Sequence, residues 1–421
     1  MPNENNALHF ARALADAPNW FWFDGAAAPS GERRTSYLGK GDEVLIAQPG
    51  REQEFLDTLR SRQVPSRAVN GAPHEFRSGW VVAFSYEFGV NLMGASPDTS
   101  LAPHAGGPLA IAMRVNSVRS LDSRDAGVDP PSAAGRHRSP VPYSWRSSEK
   151  EYEQQVEACK AAIHRGDAYV LCLTDTAEST VEGPYRPLSL YERLRASSHA
   201  TRGGIIVAGG DALVSASPER FLSVRGSTVS THPIKGTRPR GETPESDRAL
   251  ATDLANDEKE RAENLMIVDL MRNDLSRVCE VGSVRVDRFL DVETHARVHQ
   301  LVSTVSGELA PGRDVFDALV ACFPGGSMTG APKLSAVTIL SELEQGPRGL
   351  YSGCFGWIDD SGDAELAMTI RGVQLRSLSD RNFAGNVHAL VGAGGGITAD
   401  SVAQREREER DLKAAAVLAA I

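Results

Sequence analysis

The 421-residue sequence predicts an α+β protein. Strand-like apolar runs come in groups, helical periodicities fall irregularly among them, and no fixed-period repeat or regular β–α alternation is present. In the first part of the chain, residues 80–84 and 110–115 are apolar runs between Gly and Pro punctuation and read as strands. Residues 120–142 are rich in Ser, Pro, Gly and charge without apolar periodicity, and read as a linker or surface loop. This divides the chain into an N-terminal α+β region (1–119), a connecting segment (120–148) and a larger C-terminal region (149–421). The C-terminal region opens with a helix over 149–165 and a strand over 168–174. Further strands are expected at 204–208, 220–225, 353–359, 365–375 and 386–391, and helices at 245–274, 315–322, 331–344 and 401–420.

Composition bounds the function. Hydrophobic residues make up 41% and charged residues 24%, which is ordinary globular usage. The formal charge of −10 argues against a non-specific nucleic-acid binder, because phosphate contacts need clustered Lys and Arg, yet it leaves room for a locally cationic pocket. No apolar stretch is long enough to span a bilayer and the N-terminus lacks the pattern of a signal peptide, so a cytoplasmic protein is expected. The five cysteines are scattered without a CxxC pair and read as buried thiols rather than disulfides or zinc ligands.

Several segments carry chemistry. Glu260 and Glu263 lie three apart on one expected helix face, as do Glu406 and Glu409 on another. Either pair alone reads as a solvated face. Convergence of all four would require a cation, and oxygen-only ligands select Mg²⁺ or a similar hard ion. The segment VGAGGGI (391–397) joins an apolar strand to a helix and reads either as a tight turn or as an anion-binding loop; it lacks the spacing of a dinucleotide fingerprint. In GGSMTGAPK (325–333), Thr329 or Gly330 is the expected helix cap with Pro332 in the first turn, and the clustered glycines imply backbone packed close to a ligand or another segment. Lys235, in HPIKGTRPRG (232–241), would ordinarily be a solvated turn lysine. It becomes a covalent nucleophile where burial or neighbouring cations, here His232, Arg238 and Arg240, depress its pKa.

In order along the chain, SPERF (217–221), PIKGTRPRG (233–241), ERAENLMIVDLMRNDLSRV (260–278), VHQLVSTVSGEL (298–309), FPGGSMTGAPK (323–333), YSGCFGW (351–357), IR (370–371), GAGGGI (392–397) and QREREE (404–409) together resemble the chorismate-utilising enzymes. That family includes anthranilate synthase large subunits, aminodeoxychorismate synthase component I and the isochorismate and salicylate synthases. The resemblance implies one intertwined fold of two large antiparallel sheets packed as a sandwich with helices outside. It also implies Mg²⁺ on Glu260, Glu263, Glu406 and Glu409, and chorismate held by Tyr351 and Arg371 with the Gly392–Gly394 backbone nearby. Ser327 and Lys413 lie around the ring, Gly236 and Thr237 line it, and Lys235, Glu219 and His299 are the catalytic set. Glu219 is expected to act as a general acid, which requires a pKa raised towards neutrality.

The branches differ in their nucleophile. Where isochorismate and salicylate synthases carry a water-activating lysine, this chain reads YVLCLT (169–174) and places Val170. Anthranilate synthases typically read PIAGT where this chain reads PIKGT, and the lysine form resembles the aminodeoxychorismate synthase branch, with anthranilate synthesis as the alternative. The resemblance further implies a separate glutamine amidotransferase subunit as the source of ammonia, with the product feeding p-aminobenzoate, for folate or a secondary metabolite. The N-terminal region matches only loosely, through NWFWFDG (19–25), RTSYLG (34–39) and GWVVAFSYEFG (79–89), and no tryptophan pocket is assigned there.

Overall fold

A computed structural model describes residues 7–25, 35–64, 75–95, 107–122, 141–197, 200–295, 298–379 and 383–421. Most of the expected 120–142 linker therefore lies outside the described residues.

The strand Asn19–Asp24 shows why the fold is layered. Its sequence NWFWFD alternates so that Trp20 and Trp22 join one apolar cluster while Phe21 and Phe23 join another, and all four are buried. A strand apolar on both faces must be covered on both, which makes it an internal strand of a packed layer. The described residues form two ten-stranded sheets in which the strand pairs are antiparallel. The first runs from the two-residue strand Gly330–Ala331 through Val170–Val181, Val387–Ile397, Gly372–Ser377, Asp211–Ser217 and Arg202–Ala208 to Asn19–Asp24, Thr35–Lys40 and Arg119–Asp122. The second runs from Ile234–Pro239 through Val298–Glu308, Thr228–His232, Arg220–Arg225, Ala364–Met368 and Cys354–Asp359 to Gly79–Phe84, Ala110–Val115 and Glu43–Ile46. Strands from both sides of the linker segment enter both sheets.

Phe21, Ile206 and Leu213 of the first sheet meet Val81, Met113, Phe355 and Trp357 of the second in the core between the layers. Helices cover the outer faces. Pro187–Ser197 and Ala403–Leu418 pack on the first sheet, and Glu258–Ser276 and Val315–Cys322 on the second. The expected α+β sandwich is the observed one. The five cysteines are buried free thiols. Among the described residues no helix is long and apolar enough to cross a membrane.

Three differences from the sequence reading bear on the site. The single helix expected over 245–274 is two, Pro244–Asn256 and Glu258–Ser276, because Asp257 is extended and caps the second through the amide of Glu260 (3.0 Å). The strand expected over 365–375 is interrupted between Met368 and Gly372, where Arg371 has a left-handed backbone (φ +54°). VGAGGGI is neither a turn nor a strand-to-helix joint. It is the second half of the Val387–Ile397 strand, paired residue for residue with Leu171–Ala177. Similarly, the helix after GGSMTGAP begins at Lys333 with Pro332 as its cap, because Gly330 and Ala331 first pair with Leu171 and Val170. Gly330 explains its own identity. It has φ +135°, and a Cβ there would sit 2.2 Å from the Val170 carbonyl oxygen.

The Ala403–Leu418 helix is fastened to the first sheet by Arg410, whose Nη1 donates to Asp175 Oδ2 (2.8 Å) while the guanidinium packs on Trp145 and Tyr152. Burial raises the Asp175 carboxyl to about 6 in spite of this partner. Replacing Arg410 by alanine strands that carboxylate, and a loss of about 3–5 kcal/mol is expected in denaturant unfolding. Because the carboxyl then titrates higher still, the loss is expected to be smaller below about pH 5, where it is protonated, than above about pH 7.

Candidate active site

Lys235 lies on an edge strand of the second sheet, opposite Leu301, where a register shift at Gly236 (φ +79°) interrupts the ladder. The lysine is no solvated turn residue. Its side chain is 17% exposed and its Nζ lies 3.5 Å from Glu263 Oε2, carried by the first turns of the Glu258–Ser276 helix. The first sheet closes against this point. A Cβ built on Gly396 would fall 3.5 Å from Lys235 Nζ, 3.6 Å from Val170 Cγ2 and 3.8 Å from Glu263 Oε2, so the glycine strand, Val170 and the Lys235–Glu263 pair enclose one space.

The cations expected to activate Lys235 are engaged elsewhere. His232 contacts the Arg220 guanidinium (2.9 Å), Arg238 bonds Asp253 and Asp257, and Arg240 bonds Asp247. Burial pulls the lysine pKa down, but Glu263 and the more distant Cys172 and Glu219 outweigh it, so the ammonium is held above its ordinary value. The expectation of a depressed pKa is thus corrected: in this arrangement Lys235 is a charged partner of Glu263.

Glu219 has the raised pKa expected of it. It is buried, its Oε1 accepts from Ser327 Oγ (2.8 Å), and burial raises its pKa to about 7 against the opposing pull of Ser327 and of the Lys235 charge. Ser327 reaches it from the Gly326–Met328 turn. Glu219 and Lys235 therefore share a field, one acid protonated near neutrality and one ammonium.

The helix that follows the glycine strand contributes the other side. Glu406 is anchored by Ser401 Oγ (2.7 Å), Glu409 pairs with Lys413 (2.6 Å), and Lys413 Nζ also donates to the Gly394 carbonyl (2.9 Å). Glu406 Oε2 and Glu409 Oε1 would lie 3.0 and 3.6 Å from a Cβ on Gly395, and the Glu260 carboxyl carbon 3.1 Å from one on Gly236. Tyr351 lies flat against Gly392, where a Cβ would come within 2.1 Å of its ring. Arg371, on its left-handed backbone, donates to the Lys413 carbonyl (3.1 Å). Thr237 is exposed beside Gly236.

His299 lies on the neighbouring strand opposite Arg238, two residues from the Leu301 that pairs with Lys235. Its Nδ1 contacts Thr294 Oγ1 and its Nε2 contacts Asp247 Oδ1, both at 2.9 Å, so both ring nitrogens are occupied by the wall that holds the Pro244–Asn256 helix. Two further neighbours carried no sequence signal of function. Cys172, expected only as a buried thiol, lies close enough for its charge state to couple to Lys235 and Lys413. Arg348, buried with Glu344, ties the carbonyls of Cys172 and Met328 together beneath the site.

The four glutamates present oxygen donors of the kind Mg²⁺ takes: Glu263 lies by Gly396, Glu406 and Glu409 by Gly395, and Glu260 by Gly236. Burial and carboxylate neighbours raise the pKa of Glu260 and Glu406, the signature of acids gathered without enough positive charge. Among the described residues, however, no three His, Cys, Asp or Glu side chains form a ready-made metal cage. The donor chemistry fits, and to close on an ion Glu263 and Glu409 would have to turn from their lysines and Glu406 from Ser401.

Where the glycine strand of the first sheet nears Lys235, the structure gathers a lysine paired with Glu263, the Glu406–Glu409 helix and, within electrostatic reach, an acid raised to about 7. Residues 21–419 match the family described as chorismate binding enzyme, and the chain belongs to it. It is 35% identical to an aminodeoxychorismate synthase of Streptomyces pristinaespiralis over 98% of this chain and 63% of that protein. It is 33% identical to anthranilate synthase component 1 of Thermococcus kodakarensis over 98% of this chain and 96% of that one. The chain spans 63% and 53% of the two Streptomyces aminodeoxychorismate synthases it resembles. Among solved structures, anthranilate synthase component I from Streptococcus pneumoniae superposes with a TM-score of 0.73 at 28% identity, covering 95% of this chain and 92% of that one.

Glu219 is expected to titrate near 7, far above the ~4.3 of a free glutamate. Carboxyl ¹³C NMR, assigned by loss of the signal in Glu219→Gln, measures this. Because the Ser327 hydroxyl stabilises the carboxylate, Ser327→Ala is expected to move the value further up; a Glu219 titrating in the ordinary range would contradict the assignment.

Proposed function

We propose that this chain converts chorismate and ammonia into 4-amino-4-deoxychorismate, the precursor of p-aminobenzoate. The observation that carries the reading is Lys235: its side chain is largely enclosed, it faces Val170 and Gly396, and its charge couples to Glu219, whose pKa is raised to about 7. Val170 supplies an apolar wall and no base, which disfavours activation of water there.

In this reading the amine of Lys235, after giving up a proton, attacks the 2-position of chorismate. The ring double bond shifts and the 4-hydroxyl leaves as water, taking the proton of Glu219. Ammonia then adds at the 4-position, the double bond shifts back, and the Lys235 amine departs. Two successive shifts restore the ring, which accounts for amination where the hydroxyl left. Tyr351, Arg371 and Lys413 border the space for the substrate carboxylates, while Ser327 orients Glu219. His299, tied to Asp247 and Thr294, acts as a positioning residue in this scheme. Glu260, Glu263, Glu406 and Glu409 would hold Mg²⁺, which when bound supplies positive charge to a substrate carboxylate. A separate glutamine amidotransferase subunit would furnish the ammonia.

A second reading, anthranilate synthesis, is favoured by relatives of that name matching nearly the whole chain. Product identity separates the two. With chorismate, Mg²⁺ and ammonia, followed by a lyase, p-aminobenzoate is expected, and direct formation of fluorescent anthranilate would overturn the proposal. Lys235→Ala is expected to lower amination by about 10²-fold or more, a loss typical of removing a group that acts in the chemical step. Mass spectrometry of quenched wild-type enzyme should find a chorismate-derived adduct on the peptide carrying Lys235. An unchanged rate in the variant would reduce the lysine to a bystander.

A further inference from the structure

The Glu258–Ser276 helix carries Glu260 and Glu263, and polar bonds on either side of them hold it to the second sheet. Ahead of the pair, Asp257 caps the helix through the Glu260 amide (3.0 Å) and accepts from Arg238 Nη2 (2.7 Å), three residues along the strand from Lys235. A cap holds the end of a helix and leaves its roll about the axis to other contacts. Successive side chains lie about 100° apart around that axis, so a modest roll carries a carboxylate away from its partner.

Behind the pair, Asn264 supplies a contact that fixes the roll. It is fully buried at the head of the stripe Ile267, Val268, Met271 and Leu275, where the helical pattern calls for an apolar residue. Its Oδ1 accepts from Ser303 Oγ (2.6 Å), and its Nδ2 has no hydrogen-bond partner among the described residues. A leucine of similar shape would avoid the cost of burying that amide.

Ser303, equally enclosed, joins three elements at one point. Its Oγ also accepts from the Leu290 amide (3.0 Å), in the left-handed bend (φ +57°) where the Arg285–Thr294 strand shifts register against Val298–Glu308. Its own amide donates to the Pro233 carbonyl (3.1 Å), two residues before Lys235. The adjoining Val302 and Leu301 pair with Ile234 and Lys235. One buried hydroxyl residue thus couples the strand that presents Lys235 to the helix residue adjoining Glu263.

We propose that Asn264 and Ser303 are positioning residues: their bond sets the roll of the Glu258–Ser276 helix and thereby holds Glu263 against the Lys235 amine. The effect on rate rests on the reading of Lys235 as the reacting amine; the effect on geometry does not.

The test compares Ser303→Ala, Ser303→Thr and the double variant Asn264→Leu/Ser303→Ala in chorismate consumption, denaturant unfolding and crystal structures. Consumption counts turnover whichever product forms. Ser303→Ala is expected to lower kcat on the order of tenfold and to change KM for chorismate less than about twofold, since misplacing a reacting group costs rate more than binding. Ser303→Thr keeps the hydroxyl and is expected to keep the wild-type kcat. The double variant removes the stranded amide, so it is expected to recover part of the stability lost in Ser303→Ala but none of the kcat. The separation of Lys235 Nζ from Glu263 Oε2, 3.5 Å in the intact protein, is expected to open beyond about 4 Å in both variants that lack the hydroxyl. A kcat that follows the unfolding midpoint through the series, or an unmoved Lys235–Glu263 pair, overturns the proposal. If Ser303→Ala does not fold, the double variant decides alone. Anthranilate as product would defeat the amination reading and leave this comparison intact, and if no chorismate is consumed the crystal structures decide.

Discussion

The pairing of Val170–Val181 with Val387–Ile397 is the constraint on which the rest of the site depends. It is a long, uninterrupted antiparallel ladder, and its second strand is glycine-rich only where the active site begins. Those glycines remove side chains from both faces of the strand end, so that Tyr351 approaches at Gly392, Glu406 and Glu409 at Gly395, and Lys235 and Glu263 at Gly396. The same ladder places Val170 across from Ile397's end of the strand, and the chain then turns into the helix bearing Glu406, Glu409 and Lys413. A shift of register by one residue would exchange the two faces of the strand and dismantle every one of these contacts.

Charge is distributed unevenly inside this frame. Each glutamate of the cleft has a positive or hydroxyl neighbour: Glu263 with Lys235 and Lys259, Glu409 with Lys413, Glu260 near Arg238, Glu406 on Ser401. Lys259 and Lys413 pair with Glu263 and Glu409 along their own helices, whereas Lys235 and Arg238 reach Glu263 and Glu260 from the Ile234–Pro239 strand. Glu219 differs because it is enclosed by the protein and, among the described residues, its carboxyl is bonded by a hydroxyl and by no cation. Burial then outweighs its neighbours and favours the neutral acid. The deeper ion pairs Arg410–Asp175, Arg348–Glu344 and Lys333–Asp274 do not touch this chemistry and hold the surrounding elements in register.

Much of this was legible from residue types. The apolar runs 80–84 and 110–115 read as the strands they form, the paired glutamates fall on helices, and the motif order identified the family whose fold is observed. What local pattern could not convey came from long-range pairing. VGAGGGI reads as a turn because glycine is permissive, yet it is strand, since its partner 171–177 lies more than two hundred residues away. The break at Asp257 went unseen because Asp257 is an ordinary polar position until Arg238 pairs with it.

For the site, the sequence by itself determined which side chains carry the chemistry: a lysine, an acid, four glutamates and the glycines that make room for them. Only the tertiary structure decided their states. Proximity in sequence suggested that His232, Arg238 and Arg240 act on Lys235, whereas folding sends those cations to other partners and brings Glu263 to the amine instead. Protonation and pairing depend on burial and on distances across the fold, and these exist only once the two sheets have closed on each other.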